Sequence, residues 1–338
     1  MTAVVQDRYG PAPEGLFRID RIAVPPTGYA EVLVRVHAAS VDRGTWHVMA
    51  GLPYPIRLAG FGLRKPKYLN PGRSLSGTVE AVSPGVTGFA PGDPVYGTCN
   101  GSFAEYVTVA VDQLAAKPAN LTHEQAAAVP ISGVTALQGL RDRGRVRPGH
   151  QVLIVGASGG VGTFAVQLAK AFGAEVTGVC STSKVDLVRS LGADHVIDYT
   201  TGDVADGQRF DVVLDTGGHR SLRRLRRTLT RRGTLVIVGS ETGGRWLGGF
   251  DRTIRAMLLS PFVRQHLAPL ASSENAADLV VLTGLVESGQ ITPVIDRTYP
   301  LEEAAAAIRH LLDGTARGKL VVSVSPSGMQ TTPPGSTP

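Results

Sequence analysis

Cysteine is nearly absent: Cys99 and Cys180 are the only two. Two thiols so far apart make neither a disulfide framework nor a local metal knuckle. A reducing cytoplasm is the compartment this usage fits. Long apolar runs are missing as well. No stretch reaches the roughly 18 residues that a membrane span requires, and the opening MTAVVQDRYG lacks the basic segment and apolar core of a secretory leader. No membrane partner is expected. Low-complexity sequence is confined to the end. The 41 glycines and 22 prolines are otherwise dispersed between apolar runs, as turns of a folded chain are. Only SPSGMQTTPPGSTP, from Ser325, reads as a disordered tail.

Acidic residues are outnumbered, 28 against 34 Lys and Arg, for a net charge of +6. The basic run HRSLRRLRRTLTRRG, His219 to Gly233, is the obvious place to look for a nucleic-acid contact. Leu222, Leu225 and Leu229 recur at i, i+3 and i+7, which predicts an amphipathic helix with its arginines in solvent. No nucleic-acid partner is expected.

With 338 residues and 43% hydrophobic side chains, the chain is long enough for two domains with full cores. Residues 1–120 give short strand-like runs, AEVLVRVHAAS, LSGTVEAVS and FAEYVTV, broken by Pro-Gly turns, and read as an antiparallel β domain. At Thr122 the period changes. THEQAAAVPISGVTALQGLRDRG is helix-like and opens with a capping box, Thr122 with Gln125. Residues 121–289 then alternate apolar strands with helices, the mark of a parallel sheet covered on both faces. Residues 290–324 return to strands around a helix over 302–313 and are expected to rejoin the first domain, leaving 325–338 as the tail.

The stretch VLIVGASGGVGTFAVQLAK places Ala157-x-Gly159-x-x-Gly162 between a strand and a helix. That is the dinucleotide fingerprint with alanine in its first place: a tight turn, a close approach of backbone to pyrophosphate, and close packing of helix on strand. Ser158, Gly160 and Val161 complete the cradle, and the helix presents Val161, Ala165, Leu168 and Phe172 on one face. At the end of the next strand, where a carboxylate would receive ribose hydroxyls, the chain reads CSTSK. Ser181 and Lys184 there suit a 2′-phosphate, so NADPH is the expected cofactor. Gly239, ending a later strand, joins the cofactor set.

These motifs, with PGDPVYG, GSFAEYV, AAAVPISGVTALQGL, SLGADHVIDY and GKLVV, resemble the zinc-independent quinone oxidoreductase branch of the medium-chain dehydrogenase/reductase superfamily, up to Val324. The resemblance implies a GroES-like β domain split by a Rossmann-type, doubly wound parallel sheet domain, and a homodimer. It assigns Thr135 to the nicotinamide amide, Tyr199 to the neighbourhood of the 2′-phosphate, and Lys319 to an approach on the cofactor from the last strand. It suggests that RAMLLSPFVRQHL, Arg255 to Leu267, caps the cofactor or a subunit interface. Where zinc-dependent relatives carry a GHE turn the chain reads PGRSLSG, and the cysteine lobe is missing, so no metal is expected.

The departures fall on the substrate side. Relatives read roughly SVNPxDW where this chain reads SVDRGTWHVMAGLPY, which puts Asp42 and Thr45 at the altered places. Arg73 and Ser74 likewise replace a GxDxAG pattern. Asp42 has two open readings: a salt bridge with Arg43 or Arg73, or an acid–base group beside the nicotinamide. The candidates for donating to a substrate oxygen are Tyr54, which matches an aromatic cleft position, Thr45 and Arg73. Trp46 is a cleft wall or a core residue. The expected activity is NADPH-dependent hydride transfer to a quinone or enone. Two alternatives stand: a redox-neutral cyclisation or isomerisation on the same fold, and an inactive nucleotide-sensing or RNA-binding protein using Arg220 to Arg232.

Overall fold

The computed structural model describes residues 1–202, 207–239, 244, 246 and 248–324; the expected disordered tail lies outside them. A ribbon of β1 (Thr2–Val5) and β2 (Arg18–Arg21) opens the chain. Then come β3 (Glu31–Val41), α1 (Arg43–Ala50), β4 (Ser74–Val82), β5 (Pro94–Thr98), β6 (Tyr106–Ala110) and β7 (Leu114–Ala116). Val32, Val34 and Val36 of β3 are buried alternately, because every second side chain of a strand faces the same way. They join Val79, Val95, Val107 and Val109 in one core.

The predicted capping box is present: Thr122 and Gln125 bond reciprocally at the start of α2 (His123–Ala127). It is followed by α3 (Pro130–Gln138), β8 (Gln151–Val155), α4 (Gly160–Ala171), β9 (Glu175–Cys180), α5 (Val185–Ser190) and β10 (His195–Asp198). Next are β11 (Phe210–Asp215), α6 (Leu222–Arg227), β12 (Leu229–Ile237), α7 (Phe250–Leu259), β13 (His266–Pro269) and α8 (Ala276–Glu287). The chain ends with β14 (Ile295–Pro300), α9 (Ala304–Leu312) and β15 (Lys319–Ser323).

Six strands pair in parallel in the order β10-β9-β8-β11-β12-β13. This doubly wound order reverses direction between β8 and β11, and such switch points form crevices at the carboxyl ends of strands. The glycine loop after β8 lies there. The other sheet runs β14-β15-β3-β4-β5-β7, with β6 along the first half of β3. β15 pairs antiparallel with β3, so the last strands close the first sheet.

One basic-run expectation is corrected. The helix ends at Arg227, and Leu229 already belongs to β12, because β-branched Thr228 and Thr230 and the apolar run LVI favour a strand paired with β11. Leu225 and Leu229 are both buried, but on successive elements.

Candidate active site and cofactor cradle

The glycine loop is shaped by two positions where a side chain has no room. Gly156 holds φ +83°, and a Cβ there would lie 2.5 Å from Thr216 Oγ1, itself bonded to the Val155 carbonyl at 2.8 Å. At Gly162 a Cβ would fall 2.1 Å from the Gly156 carbonyl oxygen, so helix and strand touch backbone to backbone. The tight turn expected at Ala157 is thus made by Gly156, one residue earlier, while Ala157 is buried beneath the loop. Gly159 begins α4 with no side-chain cap, and the first helical bond runs from Thr163 N–H to the Gly159 carbonyl at 2.9 Å. The amides of Gly160, Val161 and Gly162 have no carbonyl of their own helix to meet. A bare concave backbone under a positive helix end fits a dinucleotide pyrophosphate.

Lys319 reaches under this loop. A Cβ on Gly160 would meet Lys319 Cδ at 3.0 Å, and Ser158 accepts from Gly318 N–H at 2.9 Å. The Lys319 ammonium is buried and donates to the Val41 carbonyl (3.2 Å) and Ser132 Oγ (3.1 Å). Burial lowers its pKa, while the Asp42 carboxylate acts in the opposite sense. The side chain therefore ties β15, the end of β3, α3 and the cradle together; nothing in GKLVV announced Val41 or Ser132 as its partners.

At the end of β9, Ser181 begins a short turn that carries Lys184. Lys184 Nζ donates to the carbonyls of Ala316 (2.7 Å) and Gly314 (3.1 Å). An ammonium has three donors, so one remains. Arg317, which sequence reasoning missed, is exposed and close enough to act with burial in lowering the lysine's pKa. Tyr199 donates its backbone N–H to the Cys180 carbonyl and leaves its ring 55% exposed. The neighbouring Asp198 carboxylate is held below its usual range by bonds from Thr182 and Thr200. Gly239 is exposed, with open space where a Cβ would stand. Thr135, on α3, donates to Ser272 Oγ at 3.3 Å.

On the facing wall, Asp42 caps α1: its Oδ1 accepts from Thr45 N–H at 2.8 Å, with Thr45 Oγ1 at 3.4 Å. An Asp directly before a helical run is a start signal that the sequence reading passed over. Asp42 Oδ2 is buried without a partner, as is Arg73 Nε. Of the two salt bridges expected for Asp42, the one with Arg73 is replaced: Arg73 pairs with Glu274, 3.6 Å away on the loop before α8. Asp42 and Arg73 remain neighbours, since a Cβ on Gly44 would lie 3.0 Å from Asp42 Oδ1 and 3.9 Å from Arg73 Nη1. Tyr54 stands beyond, with Arg57 over its ring at 4.9 Å and Trp246 edge-on at 5.0 Å. Trp46 packs on the β-domain core and donates to the Pro11 carbonyl, which favours its core reading. Desolvation pushes the Cys99 thiol up to about 12 against the pull of Arg73, which leaves no thiolate nucleophile there. Among the described residues no group of three or more His, Cys, Asp or Glu is placed to hold a metal ion.

A doubly wound sheet with a glycine cradle at its switch point, facing a cleft on a second β sheet, defines the two-domain architecture of nicotinamide-dependent dehydrogenases and reductases. Residues 28–119 match the alcohol dehydrogenase GroES-like domain, and residues 191–322 match a family described as zinc-binding dehydrogenase. Mouse mitochondrial NAD(P)H oxidoreductase RTN4IP1 is 36% identical over 96% of this chain and 89% of its own. Tomato 2-methylene-furan-3-one reductase is 32% identical over 90% of this chain and 74% of its own. The solved quinone oxidoreductase from Coxiella burnetii superposes with a TM-score of 0.80 at 28% identity, covering 96% of this chain and 99% of that one. The chain belongs to the medium-chain dehydrogenase/reductase superfamily.

Proposed function

We propose that the protein is an NADPH-dependent, zinc-independent oxidoreductase that reduces a quinone or an α,β-unsaturated carbonyl. The observation that carries this reading is the bare cradle from Gly156 to Gly162, facing a wall where Asp42 Oδ2 and Arg73 Nε are buried and unpartnered. Buried polar atoms are normally satisfied, so such atoms mark a place completed by a ligand. The names of the tomato and Coxiella relatives, an enone reductase and a quinone reductase, support the substrate class.

When bound, the reduced nicotinamide supplies the hydride. The residues of this chain bind, orient and donate. Ser158, Gly159 and the first turn of α4 receive the pyrophosphate; Thr135 orients the nicotinamide amide; Ser181, Lys184, Tyr199 and Gly239 line the adenosine end. The third donor of Lys184 serves the 2′-phosphate, and Lys319 positions the cradle against β3. Tyr54 donates to the substrate oxygen as negative charge develops there, with Thr45, Asp42 and Arg73 shaping the polar wall. Residues 1–120 and 290–324 form the substrate-side domain and 121–289 the nucleotide domain, with cytoplasmic residence and a homodimer as part of the same reading.

The test is loss of NADPH absorbance on mixing the purified protein with a panel of quinones and enones, NADH run alongside. Substrate-dependent oxidation that prefers NADPH is expected. Tight NADPH binding with no oxidation across the panel contradicts the reading and favours a redox-neutral role.

A further inference from the structure

The end of the basic run has a place in the fold that the cofactor reading does not use. Arg231 and Arg232 ride on an excursion of β12: Phe210 of β11 pairs with Leu229 and Val212 with Thr234, so β12 advances five residues while β11 advances two. Bulged strands of this kind re-aim their side chains. The excursion faces the turn before β8, which carries Arg145 and Arg147, and the two line a cavity of about 230 Å³. This is the opening end of the parallel strands, whereas the glycine cradle follows their closing end. None of the lining residues belongs to the edge strand β13 or to α7.

The lining carries one dominant sign of charge. Arg145, Arg147 and Arg232 are exposed, and none of them is in an ion pair among the described residues. The one carboxylate in the cavity, Asp211, is committed elsewhere: it accepts from the Gln151 N–H at 3.1 Å and from Thr230 Oγ1 at 3.3 Å. His150 Nδ1 is buried and has no hydrogen-bond partner. Buried polar atoms are normally satisfied, so an orphan in the wall of a cavity points to a ligand. Arg145 holds φ +50°, a left-handed conformation that is costly for a residue with a side chain. Three backbone bonds fix the turn: Val146 N–H to the Leu140 carbonyl (3.0 Å), Gly149 N–H to the Gly173 carbonyl (2.8 Å) and His150 N–H to the Arg147 carbonyl (3.1 Å). The backbone that carries these groups is therefore preorganised.

We propose that this cavity binds a small phosphorylated anion, with Arg145, Arg147 and Arg232 supplying the charge and His150 Nδ1–H a directed donor. The guanidinium fork matches phosphoryl oxygens, and either ring nitrogen of a histidine can carry the donated proton. The volume sets the size of the ligand. Pockets for drug-sized molecules begin at about 300 Å³, so a cavity of about 230 Å³ admits a phosphate or diphosphate group and excludes a whole dinucleotide. A nucleic-acid strand fits worse, because its backbone tracks an open basic groove, whereas the orphan nitrogen here is buried in a wall. β8 runs from Gln151, beside this cavity, to Val155, before the cradle. The anion site is thus separate from the cofactor's pyrophosphate site and does not depend on the reductase reading.

The test is calorimetric titration of the full chain with inorganic pyrophosphate, with and without excess NADPH. Saturable binding that weakens with salt and is unchanged by NADPH is expected. Arg145→Gly and His150→Phe each lower the affinity by about tenfold, the scale of one hydrogen bond to a charged group. Arg145→Gly is also its own folding control: glycine suits φ +50°, so the Tm of this variant without anion equals or exceeds that of the parent. The proposal is overturned by no binding, by variants that bind as the parent does, or by displacement of pyrophosphate by NADPH, which would seat the anion in the cradle. Single-stranded RNA that displaces pyrophosphate and loses its own binding in the same variants would assign the surface to nucleic acid and overturn it as well. Failure of the reductase reading shows separately, as no oxidation of NADPH, and leaves the anion result standing.

Discussion

The cradle and the wall that faces it are held by different means. The cradle is backbone: Gly156 and Gly162 work because they carry no side chain, and their constraints come from atoms a few residues away and from the next strand end. The wall is side chains satisfied across the molecule. Arg73 looks to Glu274, far along the chain, and Trp46 to the Pro11 carbonyl. A site of the first kind tolerates almost no substitution, whereas one of the second kind can be retuned by changing partners. On this account the family's cofactor chemistry persists while its substrates diverge.

Substitution at Gly162 has the largest expected effect. A valine there would drive its Cβ into the Gly156 carbonyl, 2.1 Å away, and neither backbone can move without opening the helix from the sheet. NADPH affinity measured by titration should fall by about 100-fold or more, the loss of several pyrophosphate hydrogen bonds. Retained affinity would mean that the cradle is not the binding site.

A smaller effect is expected on the wall. Tyr54→Phe should lower kcat about tenfold or more, the scale of one positioned donor, with NADPH affinity unchanged. Steady-state kinetics beside a binding titration separates the two, and unaltered turnover would remove Tyr54 as the donor.

The smallest effect sharpens the contrast by touching the substrate-side sheet outside the cleft. His37 and His123 stack at 4.3 Å, and His123 exchanges a hydrogen bond with Ser76 Oγ at 2.9 Å. Desolvation, helped by His37, brings the His123 pKa down to about 4 from an ordinary 6.5. The fold thus excludes its proton: the stabilisation is fully present above pH 6.5 and is lost as the pH falls toward about 4. After allowance for solvent screening the loss is on the order of 1 kcal/mol. Melting curves should show His123→Asn flattening the pH dependence of Tm over that window; an unchanged slope would place the titration elsewhere.

What was legible in the sequence follows the same division. The fingerprint, the capping box of Thr122 and Gln125, and the face of α4 through Ala165 and Leu168 are local patterns, and the structure keeps them. The turn glycine was misplaced by one residue because spacing alone does not report φ, and Gly156 precedes the matched motif. The basic run was read as one helix because Leu229 keeps the helical period, yet pairing with β11 claims it as strand. Glu274, Ser272 and Arg317 were invisible, since each acquires its role from a segment more than a hundred residues distant, which no periodicity connects.

Preference for NADPH over NADH is the proposed property that Lys184→Ala probes. Two of the three Lys184 donors go to the Gly314 and Ala316 carbonyls, and the account gives the third to the 2′-phosphate. Dissociation constants for NADPH and NADH should therefore separate, with NADPH weakened about tenfold or more by loss of a charge-assisted bond and NADH little changed. Equal losses for the two cofactors would show that Lys184 serves only the loop it is tied to and would contradict the assignment.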